Sequence, residues 1–245
     1  MRYGILSDIH GNLEALQSCL EALSSEKIDG YLCLGDIVGY GANPNECLEL
    51  VWGLTSEVVA GNHDHAAVGK LDVLSFNHNA AEAALWTMQR LTRSGGQYLR
   101  DLPLIRRYDH LLAVHATPSQ PERWLYVLTL ENARTEFQAF PDGVTVCVIG
   151  HTHTPVVFEW NDVSRSGLRL APGSYPVREG CRYLVNVGSV GQPRDGDPRA
   201  AYGIYDTDAA IIEIKRVDYD FSSTQKKIRK AGLPDALATR LGLGR

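Results

Sequence analysis

"RYGILSDIHGNLEALQSCLEALSSEKIDGYLCLGD", residues 2–36, changes its hydrophobic period twice. "RYGIL" is a short apolar run with a polar exit at Ser7-Asp8, the pattern of a buried strand. Leu13, Leu16, Leu20 and Leu23 then recur at helical spacing. "GYLCLGD" is a second apolar run, ending in Gly35-Asp36. The order strand, helix, strand implies a largely parallel sheet with crossover helices.

The alternation continues outward. "NPNECLELVWGL" reads as a helix with Asn43 as N-cap and Pro44 in its first turn. "EVVAGNHD" reads as a third strand with a polar tip. Sheets of this kind bind ligands outside the carboxyl ends of their strands, so Asp8, Asp36 and Asn62 are expected along one edge. "HNAAEAALWTMQRL" and "GGQYLRDL" read as helices. "LLAVHATP" is a strand with His115 at its tip, "LENARTEFQAF" a helix and "GVTVCVIGHTH" a strand. From "VVFEW" to "AAIIEIKRV" the chain breaks into short β-rich runs between turn residues, as in an antiparallel meander or a second sheet. "FSSTQKKIRKAGLPDALATRL" returns to helix. No repeat, low-complexity tract or linker interrupts the chain, so residues 1–245 are expected to form one α/β domain with two sheets.

Composition narrows the function classes. Of 245 residues, 44% are hydrophobic and 22% charged, as in an ordinary globular protein. The net charge of −5 and the lack of a basic run argue against a nucleic-acid polymer as partner. An anionic small molecule would have to be drawn by something local. Five cysteines, Cys19, Cys33, Cys47, Cys147 and Cys181, form no CxxC pair and are odd in number. That argues for a reducing compartment and no disulfide framework. "MRYGILSDIHGN" does not read as a signal peptide, and no apolar stretch reaches about 18 residues. A cytoplasmic location and no membrane contact are expected. Oligomeric state leaves no trace in the sequence.

The polar strand tips carry the chemistry. They hold Asp8 and His10 in "SDIHGN", Asp36 in "LGDIVGYG", Asn62 and His63 in "AGNHD", His115 in "VHATP", and His151 and His153 in "GHTH". Five of the eight histidines sit at such tips. In an extended chain residues two apart project to one side, so Asp8 and His10 should converge, as should His151 and His153. A His, Asp and Asn set without Cys suits borderline to hard divalent ions. Seven candidate ligands exceed one tetrahedral site and suffice for two ions if a carboxylate bridges. Asp36 is the candidate bridge, on a strand between the two groups if sequential strands are neighbours. Two divalent ions, two carboxylates and one hydroxide leave a net positive site, which favours a phosphate ester. Two ions roughly 3.5–4 Å apart clamp the attacking and leaving oxygens of a phosphoryl transfer.

These motifs, in this order from residue 6 to residue 153, resemble the calcineurin-like metallophosphoesterase superfamily. The later "NVGSVGQPRDGDPRAAY" is similar to its small bacterial and archaeal phosphodiesterase branch. The resemblance implies a four-layer α/β/β/α sandwich with two mixed β-sheets. It implies that Asp8, His10, Asp36 and His153 hold one metal and that Asp36, Asn62, His115 and His151 hold the other. Mn2+ leads among the ions implied, ahead of Fe2+, Zn2+ or Ni2+. His63 would not ligate but would donate a proton or hydrogen bond to the leaving oxygen, oriented by Asp64 or Asp36. Where the family pattern has His-Gly, this chain has His115-Ala116, which excludes only positive-φ backbone there.

The implied activity is hydrolysis of a small phosphodiester or nucleotide by attack of a metal-bridging hydroxide. A dinucleoside polyphosphate (diadenosine tetraphosphate) hydrolase and a phosphomonoesterase are alternatives. A non-catalytic interaction scaffold of the same fold is the alternative from another class. His65 is expected at a pocket mouth, His78 at a helix start and His110 in a turn. Tyr40 either stacks on a base or packs. Arg194 either contacts phosphate or pairs with Asp in a solvent loop. Trp52, Trp86, Trp124 and Trp160 are expected as packing anchors, and Lys226, Lys227, Arg229 and Lys230 as a solvated helix face.

Overall fold

Residues 2–36 fold as their periodicities dictate. In the computed structural model, which covers residues 1–245, Arg2–Leu6 is strand β1, Leu13–Ser24 helix α1, Gly30–Cys33 strand β2 and Pro44–Leu54 helix α2. Asn12 caps α1, its side-chain oxygen accepting from the Ala15 amide at 3.2 Å. Asn43 occupies the cap position of α2 but makes no capping bond; its side-chain amide donates to Glu46 instead. "EVVAGNHD" is not a strand. Val58 alone bridges to Cys33, and the chain turns at Gly61 into helix α3, Asn62–Ala67.

The chain continues through helices α4, His78–Met88, and α5, Arg93–Asp101, then strands β3, Ile105–Arg107, and β4, Leu111–Val114. Helix α6, Leu130–Phe137, precedes strands β5, Val146–Ile149, β6, Val156–Asn161, β7, Ser166–Leu170, and β8, Ser174–Pro176. Strands β9, Cys181–Asn186, β10, Ala200–Asp206, and β11, Ile211–Val217, lead into helices α7, Phe221–Lys230, and α8, Asp235–Thr239.

The strands form two mixed sheets, in the orders β2-β1-β10-β11-β8 and β3-β4-β5-β9-β6-β7. Strands β1 and β2 run parallel, as do β4, β5 and β9; the other pairs are antiparallel. The late β-rich runs are therefore not a sheet of their own. They complete both sheets. Strand β2 lies at an edge, so sequential neighbourhood is not what puts Asp36 between the two ligand groups.

Side-chain alternation builds four layers. Ile5, Leu32, Val146, Val148, Val185 and Tyr205 point between the sheets into one apolar cluster. Their neighbours Leu6, Cys33 and Ile204 point the other way, onto Leu16, Leu23 and Val51 of α1 and α2. Leu112, Cys147, Ile149 and Leu184 point out of the second sheet onto Ala133 and Phe137 of α6. Each fully buried Leu or Ile contributes about 1.5–3 kcal/mol as an upper estimate, so a one-residue slip would expose whole rows. All five cysteines are free and buried. No helix is long and apolar enough to cross a membrane.

Candidate metal centre

The carboxyl ends of the parallel strands β1, β2, β4, β5 and β9 meet along one edge, and the loops leaving them carry the site. Hydrogen bonds tie the loops together. The His115 Nδ1–H donates to the Leu34 carbonyl at 2.7 Å, joining the tip of β4 to that of β2. The His151 amide donates to the Asp8 carboxylate at 2.9 Å, joining β5 to β1. Such close approach needs Gly150, where a Cβ would lie 2.3 Å from Asp8 Oδ2, and Gly61, where one would lie 2.1 Å from Asp36 Oδ1.

The paired residues converge, but not through extended backbone. Asp8, His10, Asp36, His151 and His153 have φ of 52°, 52°, 51°, 65° and 58°, all left-handed. Each non-glycine residue so placed costs about 1–3 kcal/mol, and such strain collects at functional sites. Ala116 is not among the positive-φ residues, so the departure at that position strains nothing.

All seven expected ligands come together, buried and at most 7% exposed. His10 Nε2 lies 3.1 Å from His153 Nε2, and His153 Nε2 lies 3.2 Å from Asp8 Oδ1. His115 Nε2 lies 3.2 Å from both His151 Nδ1 and Asn62 Oδ1. Asp36 Oδ2 stands between the two groups, 3.6 Å from His10 Nε2 and 3.3 Å from His115 Nε2. It is buried and accepts no hydrogen bond.

Proton placement explains what this arrangement needs. Each ring has its second nitrogen fixed by a backbone carbonyl: His10 by Val38 at 3.2 Å, His153 by Gln192 at 2.6 Å, His115 by Leu34 at 2.7 Å and His151 by Trp124 at 2.8 Å. A carbonyl only accepts, so those nitrogens carry the protons and the others turn lone pairs inward. Burial pushes His10 and His153 below their ordinary value and His151 down to about 3, all neutral at pH 7. Burial also pulls on His115, but Asp36, Asp8 and the Leu34 carbonyl together outweigh it and raise His115 to about 9. One proton on His115 thus relieves part of the cluster. The facing lone pairs of His10 and His153 and the buried carboxylates of Asp8 and Asp36 remain, a donor set that fits divalent cations. Backbone carbonyls orient all four rings, as outer partners do in metal sites.

His63 sits beside the cluster without a carboxylate on its ring. Its amide donates to Asp36 Oδ1 at 2.7 Å, while its ring packs against Tyr40, Phe76 and His10, at 4.4, 4.6 and 4.9 Å between centroids. Nδ1 is buried and bonds nothing, which leaves Nε2 for the cavity that the ring lines. Burial lowers its pKa to about 4. Asp64 does not orient it. Both Asp64 oxygens accept backbone amides, from Asp36, Ile37, Val38 and Gly61 at 2.8, 2.9, 3.3 and 3.0 Å. Asp64 instead braces the loop that presents Asp36.

Several residues had no signal in their spacing. Trp124, expected as a packing anchor, carries the carbonyl that holds His151 and has φ of 54°. Ser7 donates to Asp8 Oδ2 at 2.6 Å, and Asn186 donates to the Gly150 carbonyl at 2.5 Å. Tyr40 packs on His10 and His63, and the Arg194 guanidinium lies over its ring at 5.6 Å. Arg194 has no carboxylate partner; its Nη2 donates to Gln192 Oε1 at 2.7 Å. His65 packs edge-on against Trp124. His78 opens α4 and His110 lies in the turn before β4. A cavity of about 400 Å3 opens over the cluster, walled by Tyr40, His63, Phe76, Trp124, Tyr126 and His151 among others.

The fold has counterparts in known proteins. Residues 1–210 match the calcineurin-like phosphoesterase superfamily domain. An uncharacterized protein of Methanocaldococcus jannaschii is 40% identical over 252 residues, spanning 98% of this chain and 97% of its own. A metallophosphoesterase from Sphaerobacter thermophilus superposes with a TM-score of 0.88 at 40% identity, covering all of both chains. A hypothetical protein from Pyrococcus horikoshii shares the fold, with a TM-score of 0.80 at 21% identity over 100% of this chain and 98% of that one.

Proposed function

The chain belongs to the calcineurin-like phosphoesterase superfamily, and from that membership and the facing lone pairs of its histidines we propose that it hydrolyses small phosphodiesters with two divalent cations. Asp8, His10, Asp36 and His153 would hold one cation and Asp36, Asn62, His115 and His151 the other, with Mn2+ the first choice. When bound, such ions supply a water of lowered pKa and neutralise phosphate charge.

The chain's own residues do the rest. Asp36 Oδ2 spans both groups and fixes their separation. His63, neutral at pH 7, offers its Nε2 as a hydrogen-bond donor to the leaving oxygen, where charge develops as the ester P–O bond breaks. Water supplies the oxygen that stays on phosphorus; one of its protons goes to the leaving alkoxide and the other to solvent. Arg194, free of any carboxylate, is available to a phosphate oxygen. Burial of the whole set under the cavity limits competing solvent and strengthens these interactions.

The single observation that carries this function is the contact of His10 Nε2 with His153 Nε2, two lone pairs face to face. Metal analysis together with hydrolysis of bis(4-nitrophenyl) phosphate tests it. Two equivalents of metal, with turnover lost to chelator and restored by Mn2+, are expected. A metal-loaded protein that turns over no diester or monoester would leave the scaffold alternative in its place.

A further inference from the structure

The cavity over the cluster has one wall that phosphate chemistry does not require. Tyr126 stacks on the His151 ring at 4.4 Å and 25°, yet the residue is 53% exposed, so the other face of its phenol ring is open. Trp124 stands beside it, edge-on to His115 at 5.9 Å, held by its own carbonyl to His151. Across the cavity Phe76 lies against His63. A methyl or short alkyl ester would leave these rings in water. Aromatic groups kept open around a cavity with a few polar groups are the usual form of a small-molecule site.

We propose that Tyr126 and Trp124 form a shelf for a planar heteroaromatic group, a nucleobase in class, on the ester arm that stays attached to phosphorus. The proposal rests on the phosphodiesterase activity above. Two features choose a base over an alkyl chain. The exposed ring offers a flat face, and base–aromatic stacking tolerates any base. The rim beside it is polar, with Ser75, Asn77, Glu122 and Arg123, and Glu122 makes no ion pair or hydrogen bond of its own. The position of His63 chooses the arm. The leaving oxygen faces His63 and Phe76, so the arm over Tyr126, at the His151 end, is the retained one.

The test uses the metal-loaded protein and two esters with the same leaving group, thymidine 5′-(4-nitrophenyl phosphate) and methyl 4-nitrophenyl phosphate. Their kcat/KM ratio reads the retained arm alone. We expect the nucleoside ester to be preferred roughly five- to hundred-fold, the range for one base on one aromatic ring. Tyr126→Ala should bring the ratio towards one, and Tyr126→Trp should keep it. Equal kcat/KM for the two esters in the unaltered protein overturns the proposal. So does a preference that survives both Tyr126→Ala and Trp124→Ala. If neither ester is cleaved, phosphodiesterase activity itself fails, and the shelf falls with it.

Discussion

His10 and His153, 143 positions apart in the chain, point unprotonated Nε2 atoms at each other across 3.1 Å. Two lone pairs at that range repel, and the fold holds them there only because Val38 and Gln192 take the protons on the far side of each ring. A cation held by both would turn the repulsion into two bonds. Metal binding is therefore linked to folding stability. Saturation at about a hundred times the dissociation constant stabilises by about 2.7 kcal/mol. For a domain of this size that is roughly 5–10 °C in Tm. Differential scanning calorimetry before and after dialysis against a chelator measures it; an unchanged Tm contradicts a metal-organised cluster.

The same cluster sets a pH dependence. With no cation present, His115 holds a proton up to about pH 9, because Asp36, Asp8 and the Leu34 carbonyl together outweigh burial. An ion must displace that proton from Nε2. Apparent metal affinity should rise with pH by up to about tenfold per unit below 9 and flatten above it. The metal-free protein should behave in the opposite sense. A raised folded-state pKa contributes stability that is complete below the unfolded value of 6.5 and is lost as pH rises through 9. Competition titrations and urea melts across pH 6–10 check both signs.

His63→Ala separates catalysis from metal binding. A ring nitrogen of His63 lies within 4.8 Å of His10 and Asp36 ligand atoms but outside the two proposed ligand sets, so both ions should remain by metal analysis. Turnover should fall by roughly 10²–10⁴-fold, the usual weight of a positioned donor. The loss should be smaller for a 4-nitrophenolate leaving group than for an alkoxide, which needs more help to depart. Loss of metal, or an equal loss for both leaving groups, contradicts the proposed role.

Much of this edge was legible in the sequence. The places of Asp8, His10, Asp36, His115, His151 and His153, each just after a strand, follow from strand periodicity and the rule that parallel sheets bind at their carboxyl ends, whereas Asn62 comes in at the start of helix α3. What periodicity cannot carry is backbone hand. The expected side-by-side projection from extended chain gave the right neighbours for the wrong reason, since Asp8 and His10 reach their places through left-handed φ. Sheet order was equally hidden: β2 is an edge strand, and Asp36 lies between the ligand groups because the second sheet faces it, through the bond from His115 to Leu34. Trp124 contributes a carbonyl, which any residue has, so its identity gave no signal.

Asp64 shows how such a loop is held, and gives the last test. Its carboxylate takes four backbone amides, three of them in the run Asp36 to Val38 that carries the carboxylate proposed to bridge. Asn at this position keeps the shape but replaces one acceptor oxygen with an NH2 donor. Two amides then face a donor, whichever way the group turns. Each buried donor left unpaired costs about 1–3 kcal/mol, so Asp64→Asn should destabilise by about 2–6 kcal/mol. The loop it braces should also hold Asp36 less firmly, so metal affinity should fall although no expected ligand has changed. Urea denaturation with and without Mn2+ reads the two effects separately. A stability equal to that of the unaltered protein would mean that Asp64 does not hold this loop, and that the strained φ at Asp36 is maintained by its other contacts.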